Sequence, residues 1–501
     1  VDVLLAAAAE VIALQNVAMI ALGLVIGIVI GAIPGLNVPL AVAIALPITF
    51  KLAPIAGIAM LVGIYKGGTY GGSISAVLIN VPGTPAAAAT AMDGSQLTRQ
   101  GHAGKALRMS LYASIIGELV SDIVLIMLAV PIARFALKFG PVENFALGVF
   151  SLTLIAVLSE GNMLKGLSAG VLGVFLSTFG LDPLTGDARL AFGSQELSAG
   201  WSFIALVIGI FAVSEALSMV ERRGAGPIER SRVRLSDAAH RLSREDWRHA
   251  APAIARAAPI GVFIGAVPGL GSAISAYLNY GIARALSRRP ERFGKGAIEG
   301  VAAAEAGNNS VTASTFIPML TLGIPGDVIT AIMLGAFMVH GLVPGPQLFR
   351  DNAPFVAAFF VLMLVTTALH LVIGRIGLGL FIQAVRVPNQ VLYPVVLALS
   401  FTGVYVATNN LFDVGVMLGF GVLGYAMNKF GFPVAPLLIG FILGPIVEVG
   451  LRQSLIIARG DLTVFVRHPI SAVFLVLGVV ALVWAGAREW RGGAARGASA
   501  R

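Results

Sequence analysis

The chain has no cysteine, little charge and few histidines. Without cysteine there are no disulfides, thiolate metal sites, iron–sulfur clusters or cysteine nucleophiles. The six histidines (His102, His240, His249, His340, His370 and His468) include no two at a spacing that would hold a haem or a zinc ion. Asp, Glu, Lys and Arg make up 12% of the residues, where an ordinary soluble domain carries roughly 25%. There is no GxxxxGK[ST] phosphate loop, because Gly104-Lys105 and Gly294-Lys295 lack the following Ser or Thr, and no HExxH. Those absences speak against ATP hydrolysis and metalloprotease chemistry by this chain.

What fills the sequence is apolar. Of 501 residues, 57% are hydrophobic and 60 are glycine, and the mean hydropathy is +0.90. Apolarity with abundant glycine points to close-packed helices in lipid. The expected fold class is an all-α polytopic membrane protein of about 12 transmembrane helices, at 17–25 residues each. The net charge is 34 − 25 = +9, but the basic residues gather in short loops as the positive-inside rule places them, so nucleic acid is not an expected partner. The strongest basic segment, 221–250, has eight arginines against five acids and divides the chain into halves, 1–220 and 251–501. Other basic loops are Thr98–Arg108, Arg284–Lys295 and the tail beyond Arg488. Spans near 109–131, 143–160, 163–180 and 201–219 put the first two of these loops on one side, with the net acidic loop 181–200 opposite. Residues 253–283 are long for one span and short for two, and from 298 onward seven apolar segments leave an odd count. At least one segment is therefore expected to be re-entrant or split, which lipid tolerates only where protein buries the backbone or it lines a watery cavity.

The halves share motifs. GIVIGAIPGL at 27–36 matches GVFIGAVPGL at 261–270 in seven of ten positions, at an offset of 234. Val81-Pro82-Gly83-Thr84 aligns with Ile324-Pro325-Gly326-Asp327 at an offset of 243. Between these landmarks lie polar stretches of small residues, Tyr70-Gly-Gly-Ser-Ile-Ser and Gly307-Asn-Asn-Ser-Val-Thr. Interrupted apolar segments at matching places in two halves are the sequence pointer to a secondary transporter's midplane site.

Such a site uses half-helix N-termini for a carboxylate, and freed carbonyls with Ser, Thr or Asn oxygens for Na⁺. In the first half the candidates are Asn37, Ser73, Ser75, Asn80, Pro82, Gly83 and Thr84; in the second they are Ser272, Ser275, Asn308, Asn309, Thr312, Pro325, Gly326 and Asp327. The expected arrangement has Asn37, Ser73 and Thr84 facing Ser272, Asn308 and Asn309, with amides at Pro82–Thr84 and Pro325–Asp327 holding carboxylate oxygens. Adjacent amides such as Asn308–Asn309 in an apolar tract are costly unless hydrogen-bonded or lining a cavity. Glu305 lies three residues before Asn308, and helical spacing puts it on the same face as Asn308 or Asn309. With Asn80, Thr312 and Asp327 it forms the set expected to couple an ion. Lys66 either neutralises an anionic substrate or snorkels to the interface. Glu118 and Asp122 are one turn apart, and Glu448 and Arg452 have the spacing of a mutual salt bridge.

The sequence resembles the large permease subunit of tripartite tricarboxylate transporters, the TctA type. The likeness rests on GAIPGLN (31–37), YGGSISAVLINVPGTPAAAATAMDG (70–94), RQGHAGKAL (99–107), GAVPGLGSAISAYLNYG (265–281), FGKGAIEGVAAAEAGNNS (293–310), LGIPGDVITAIMLGAFMVHGLVPGP (322–346) and GFPVAPLLIGFILGPIVEVGLRQSL (431–455). Lys66 stands where that family more often has an aromatic or small residue. The resemblance implies a bacterial inner-membrane, multi-pass importer of tricarboxylates or related organic acids, not an enzyme. Its implied partners are a TctB-like small membrane subunit of about four helices and a TctC-like periplasmic binding protein. No organic cofactor is implied, and Na⁺ or H⁺ is the coupling ion. The alternative class is the membrane subunit of an ATP-driven importer, for which 221–250 would supply the coupling helix.

Overall fold

Apolar residues run through the chain without the period-two alternation of strands, and the structure, a computed structural model, is helical throughout. It describes residues 2–158, 163–221, 241–385 and 389–499. The helices α1 (Asp2–Ile12), α2 (Leu14–Ala32) and α3 (Val38–Thr49) lead to the long α4 (Pro54–Ile79). Next come α5 (Ala87–Arg99), α6 (Ala103–Ala136), α7 (Pro141–Leu158), α8 (Met163–Ser177) and the short α9 (Gln195–Ser198). A continuous run joins α10 (Phe203–Ile208), a π-helical turn (Gly209–Val213) and α11 (Ser214–Glu221). Beyond the basic segment, of which 222–240 lies outside the described residues, follow α12 (Arg244–Ala266), α13 (Gly271–Leu286), α14 (Ile298–Asn309), α15 (Val311–Ser314), α16 (Phe316–Leu322) and α17 (Val328–Val339). The remaining helices are α18 (Leu348–Asp351), α19 (Ala353–Ala384), α20 (Asn389–Thr408), α21 (Leu411–Lys429), α22 (Val434–Ile457), α23 (Val464–Arg467) and α24 (Pro469–Ser499). Among the described residues, strands are confined to a two-residue antiparallel ladder, Gly180–Leu181 with Ala188–Arg189.

Seven of these are long and apolar enough to cross a bilayer: α2, α6, the α10–α11 run, α19, α21, α22 and the first part of α24. The four spans expected between the first two basic loops correspond to α6, α7, α8 and the α10–α11 run. The ambiguous stretch 253–283 is two helices, α12 and α13, broken at Val267–Leu270. The polar tract after 298 is split as well, into α14, α15 and α16.

Two compact units form, and each draws on both sides of the basic segment. Unit 1 holds residues 1–133 and 219–407; unit 2 holds 134–218 and 408–501. Glycine decides the packing of unit 1. On α2, Gly23, Gly27 and Gly31 press against the carbonyl oxygens of Met60, Ile64 and Gly68 of α4. In return Gly63, Gly67 and Gly71 of α4 press against those of Ile20, Leu24 and Ile28. A Cβ on Gly63 would stand 2.7 Å from the Ile20 oxygen, and one on Gly67 would stand 2.6 Å from that of Leu24. Two reciprocal glycine rows at four-residue spacing bring the backbones together, the small-residue mode of helix association in lipid. The second half repeats the contacts at the motif offsets. Gly27 abuts Ile64, and Gly261 abuts Gly307; Gly31 abuts Gly68, and Gly265 abuts Val311.

The basic loops of unit 1 meet at one end. Lys105 pairs with Asp246 at 2.9 Å, Tyr112 packs on Trp247, and the Gln100 amide donates to the Lys295 carbonyl at 2.8 Å. Ser243 and Asp246 form a capping box that starts α12.

In unit 2, α8 and α22 cross at Gly173 against Leu437 and at Gly440 against Gly170. The expected Glu448–Arg452 salt bridge is present at 3.1 Å and belongs to a larger set. Arg452 also donates to Asp182 at 2.6 Å, and Arg189 reaches Glu448. That set fastens the loop 181–200 to α22, and the Arg452 hydrogen bond holds the Asp182 carboxyl at about 2, below the usual range.

Two outcomes follow. Gly27→Leu is expected to destabilise the purified protein by about 1–3 kcal/mol or more, the cost of overpacking, whereas Gly281→Ala, with open space around it, should leave the melting temperature unchanged or raised. Asp182 has a depressed carboxyl, so its anchoring of the loop is complete above about pH 4, the unfolded value, and is lost only as pH falls through about 2. Hydrogen exchange across 182–200 should therefore be flat, after correction for intrinsic rates, from neutral pH to about pH 4. It should accelerate in Asp182→Asn.

Candidate functional site

The repeated Pro-Gly motifs are the points where helices stop and the chain turns back. Gly35 and Gly269 take φ of 90° and 88°, a left-handed backbone that favours glycine, so α2 and α12 end and α3 and α13 begin. Asn37 then caps α3 by accepting from the Leu40 amide at 2.9 Å. The second pair of breaks carries Pro82-Gly83-Thr84 and Pro325-Gly326-Asp327. The Gly83 amide donates to the carbonyl of Gly72 at 3.1 Å, within α4, and Gly269 donates to Gly326 at 2.9 Å. Gly83 packs on Gly31 and on the Cα of Gly72, and Gly326 on Thr315. Thr84 and Asp327, equivalent by the 243 offset, both accept from an amide at the start of the next helix. Thr84 accepts from Ala87 of α5 at 3.3 Å and Asp327 from Thr330 of α17 at 2.8 Å.

Five helices of unit 1 carry four buried polar stripes. On α4 the stripe is Lys66, Thr69, Tyr70 and Ser73; on α6 it is Ser110, Ser114, Glu118 and Asp122; on α14 and α15 it is Glu305, Asn308, Asn309 and Thr312; on α19 it is Thr366, Thr367 and His370. All of these side chains are buried. Their spacings of three and four residues keep each set on one helical face.

Glu305 is the centre of one cluster. Its carboxylate accepts from Ser73 of α4 and Thr90 of α5, from Ser114 of α6 at 3.0 Å, and from the Asn309 amide at 3.3 Å. Asn309 also donates to Ser114 at 2.8 Å. Glu305 therefore joins helices from both sides of the basic segment. Asp93, one turn beyond Thr90, sets that geometry. It accepts from the amides of Gly296 and Ala297 at 2.8 Å each, and from the Tyr280 hydroxyl at 2.9 Å. α5 is thus pinned to the start of α14, and Thr90 is held within reach of Glu305.

Asn308 stands apart. It is fully buried, and neither its amide nitrogen nor its oxygen has a partner among the described residues. The 243 offset that matches the Pro-Gly turns carries Tyr65 onto Asn308 and Asp327 onto Thr84. Tyr65 donates to Asp327 at 2.7 Å and meets Thr315 at 3.3 Å.

The other expected residues are placed as follows. Ser73 and Asn309 meet at Glu305, as just described. Ser75 donates to Gly72, Ser275 to Gly307, and Thr312 to Asn309. Asn37, Thr84 and Ser272 are half-buried, Gly83, Pro325 and Gly326 are buried, and Pro82 is exposed. Asn80 is an exposed, left-handed cap at the end of α4. Lys66 neither snorkels nor reaches the Pro-Gly turns; it is fully buried against Asp122 at 2.7 Å. Sequence reasoning did not single out Thr90, Ser114, Tyr65, Thr367 or His370. The signal for Ser114 was the four-residue spacing from Ser110 to Asp122, a polar stripe in an otherwise apolar span.

Comparison with known proteins shows the family. The model of the "Tripartite tricarboxylate transporter TctA family" matches residues 17–439. An uncharacterized 52.8 kDa protein in the TAR-I ttuC' 3' region of Agrobacterium vitis is 38% identical over 442 residues, covering 88% of this chain and 87% of that one. A second Agrobacterium vitis protein, from the TAR-II ttuC' 3' region, is 38% identical over 225 residues, covering 45% of this chain and 93% of its own length. No solved structure matches. The chain belongs to the tripartite tricarboxylate transporter TctA family and is a membrane component of that kind of transporter.

Proposed function

We propose that the chain is the large permease of a binding-protein-dependent, ion-coupled importer, taking tricarboxylates or related organic acids across the bacterial inner membrane. The observation that carries the reading is Asn308, a buried amide with both polar atoms unpartnered beside a carboxylate cage. Burying an unbonded amide costs roughly 2–7 kcal/mol, and a bound carboxylate would offset that cost by accepting from its nitrogen. Family membership supports the partners: a TctB-like small membrane subunit, and a TctC-like binding protein that delivers the substrate. Nothing in the fold or the comparisons favours the ATP-driven alternative.

In this reading the substrate's carboxylates sit at Asn308 and at the helix starts behind the Pro-Gly turns, with Asn37, Ser73, Thr84 and Ser272 around them. Amides at Pro82–Thr84 and Pro325–Asp327 hold carboxylate oxygens, since helix N-termini favour anions. The coupling cation binds at Glu305, beside the hydroxyl oxygens of Ser73, Thr90 and Ser114, hard oxygen donors of the kind that hold Na⁺. Thr312 and Asp327 support it by holding the backbone around Asn309 and the start of α17.

The deciding assay is uptake of labelled citrate and dicarboxylates into proteoliposomes that contain this chain, its small subunit and a loaded binding protein, with and without an inward Na⁺ gradient. Uptake that follows Na⁺ is the expected result; uptake that follows ATP inside the vesicles and ignores both Na⁺ and pH gradients would overturn the reading. Asn308→Ala should abolish uptake while leaving the melting temperature within a few degrees, because no hydrogen bond is lost; wild-type uptake would remove Asn308 from the site. Glu305→Gln should lower gradient-driven uptake at least tenfold and weaken its dependence on the cation concentration.

A further inference from the structure

A second buried cluster of unit 1 takes no part in the arrangement above. Lys66 of α4 donates to both carboxylate oxygens of Asp122 on α6, at 2.7 and 2.8 Å, to the Met363 carbonyl at 3.0 Å and to the Thr367 hydroxyl at 2.7 Å. One turn before Asp122, Glu118 faces Nδ1 of His370 on α19, at 3.0 and 3.2 Å. Thr367 bridges the two pairs, at 2.7 Å from Asp122 and 3.4 Å from Glu118. All four ionisable side chains are fully buried.

The charges do not balance unless a proton is present. Lys66 cancels one carboxylate, and Asp122 is the one it grips. Glu118 then needs a proton, on its own oxygen or on His370, for the cluster to be neutral. An uncompensated charge at such a site is costly in protein and more so in a membrane. An ionic staple between helices would need only Lys66 and Asp122. The remaining pair differs, because Nε2 of His370 is buried with no partner among the described residues. The same holds for the Tyr70 hydroxyl, whose ring meets the His370 ring edge-on, with centroids 5.3 Å apart. Tyr70 stands one turn before Ser73, the α4 hydroxyl that donates to Glu305, so one face of α4 runs past both clusters.

We propose that the Glu118–His370 pair is a proton-binding site of the transporter, loaded and emptied once per cycle, with Lys66–Asp122 as its fixed counter-charge and the Tyr70 ring packed against its imidazole. The proposal rests on the ion-coupled reading above, and it holds whichever cation Glu305 carries. The titratable groups around the pair are Lys66 and Tyr70 from α4 and Asp122 from α6, and Glu305 of α14 lies one turn further along α4, at Ser73. α2 brings none, and those of α1 (Asp2 and Glu10) and α18 (Arg350 and Asp351) are exposed, as is Arg375 on α19 itself. One proton enters at Nε2 or at the Glu118 carboxyl from one side of the membrane and leaves to the other, so the cluster alternates between neutral and singly negative.

The test uses Glu118→Gln and His370→Gln in the complete reconstituted transporter. Infrared difference spectra of the purified protein between acid and alkaline pH should contain a carboxylic-acid or imidazole band that both variants lose. With whichever carboxylate the uptake assay accepts, both variants should lose accumulation driven by a pH gradient at least tenfold. They should keep substrate exchange, which moves no net proton, within about twofold of wild type. Spectra identical in wild type and Glu118→Gln would overturn the site, as would wild-type uptake indifferent to a pH gradient. Loss of exchange along with accumulation in only one variant leaves the other to decide; loss in both, with the band still titrating in each, also overturns it. A band that behaves as expected in a protein that takes up no carboxylate would instead refute the importer reading and leave the proton site standing.

Discussion

The contact on which unit 1 depends is the backbone-to-backbone approach of α2 and α4. Six glycines, three on each helix, stand where any Cβ would collide with a carbonyl of the other. In lipid the hydrophobic effect does not drive helices together, so this close approach and its dispersion contacts have to do so. The consequence reaches past the pair. With α2 in place, Gly31 leaves room for Gly83 to pack on it and to donate back to Gly72, which fixes the Pro82-Gly83 turn. The second half uses Gly261 and Gly265 to bring α12 against α14 and α15 in the equivalent way.

That packing also accounts for the composition of α4. All of its residues but Pro54 and Ile79 are buried. Most of its polar groups therefore need partners inside the protein. Tyr65 bonds Asp327, Lys66 bonds Asp122, and Ser73 bonds Glu305. Three side chains of one helix tie the first repeat motif to three other elements. All three bonds end on a carboxyl group, and removing one partner of such a buried pair is costly, so the network defines one arrangement.

Much of this was legible in the sequence, and the limits have physical causes. The broken segments could be read because Pro-Gly in an apolar run has few other uses, and the turns at Gly35, Gly269 and Gly326 lie where the motifs put them. Glu305 and Asn309 shared a helical face by spacing alone, and they do meet. Lys66 was misjudged because snorkelling is judged from distance to a helix end, whereas its fate was set by Asp122, 56 residues away. Thr90 and His370 gave no local signal, since a hydroxyl or an imidazole inside a span gains meaning only from its neighbours across the bundle. The compact units were likewise hidden, because each takes helices from both halves and no composition shift marks the boundary.

The 243 offset sharpens the question of where a ligand belongs. It pairs Tyr65 with Asn308 and Lys66 with Asn309. In the first half both residues are committed to fixed partners, Asp327 and Asp122. In the second half Asn309 is committed to Glu305 and Ser114, and Asn308 alone is left with its donors and acceptor unmet. A phenol and an ammonium at one pair of positions, and two amides at the other, make the halves chemically unequal while their backbones keep the same contacts. The inequality keeps two kinds of group apart: the charges gather among Lys66, Glu118, Asp122 and His370, and an uncharged, unpartnered amide stands next in the chain to Asn309 at Glu305. In the proposed site a carboxylate at Asn308 would meet a donor without first displacing an internal salt bridge, so recognition of the substrate would leave the charges of the proposed cycle undisturbed.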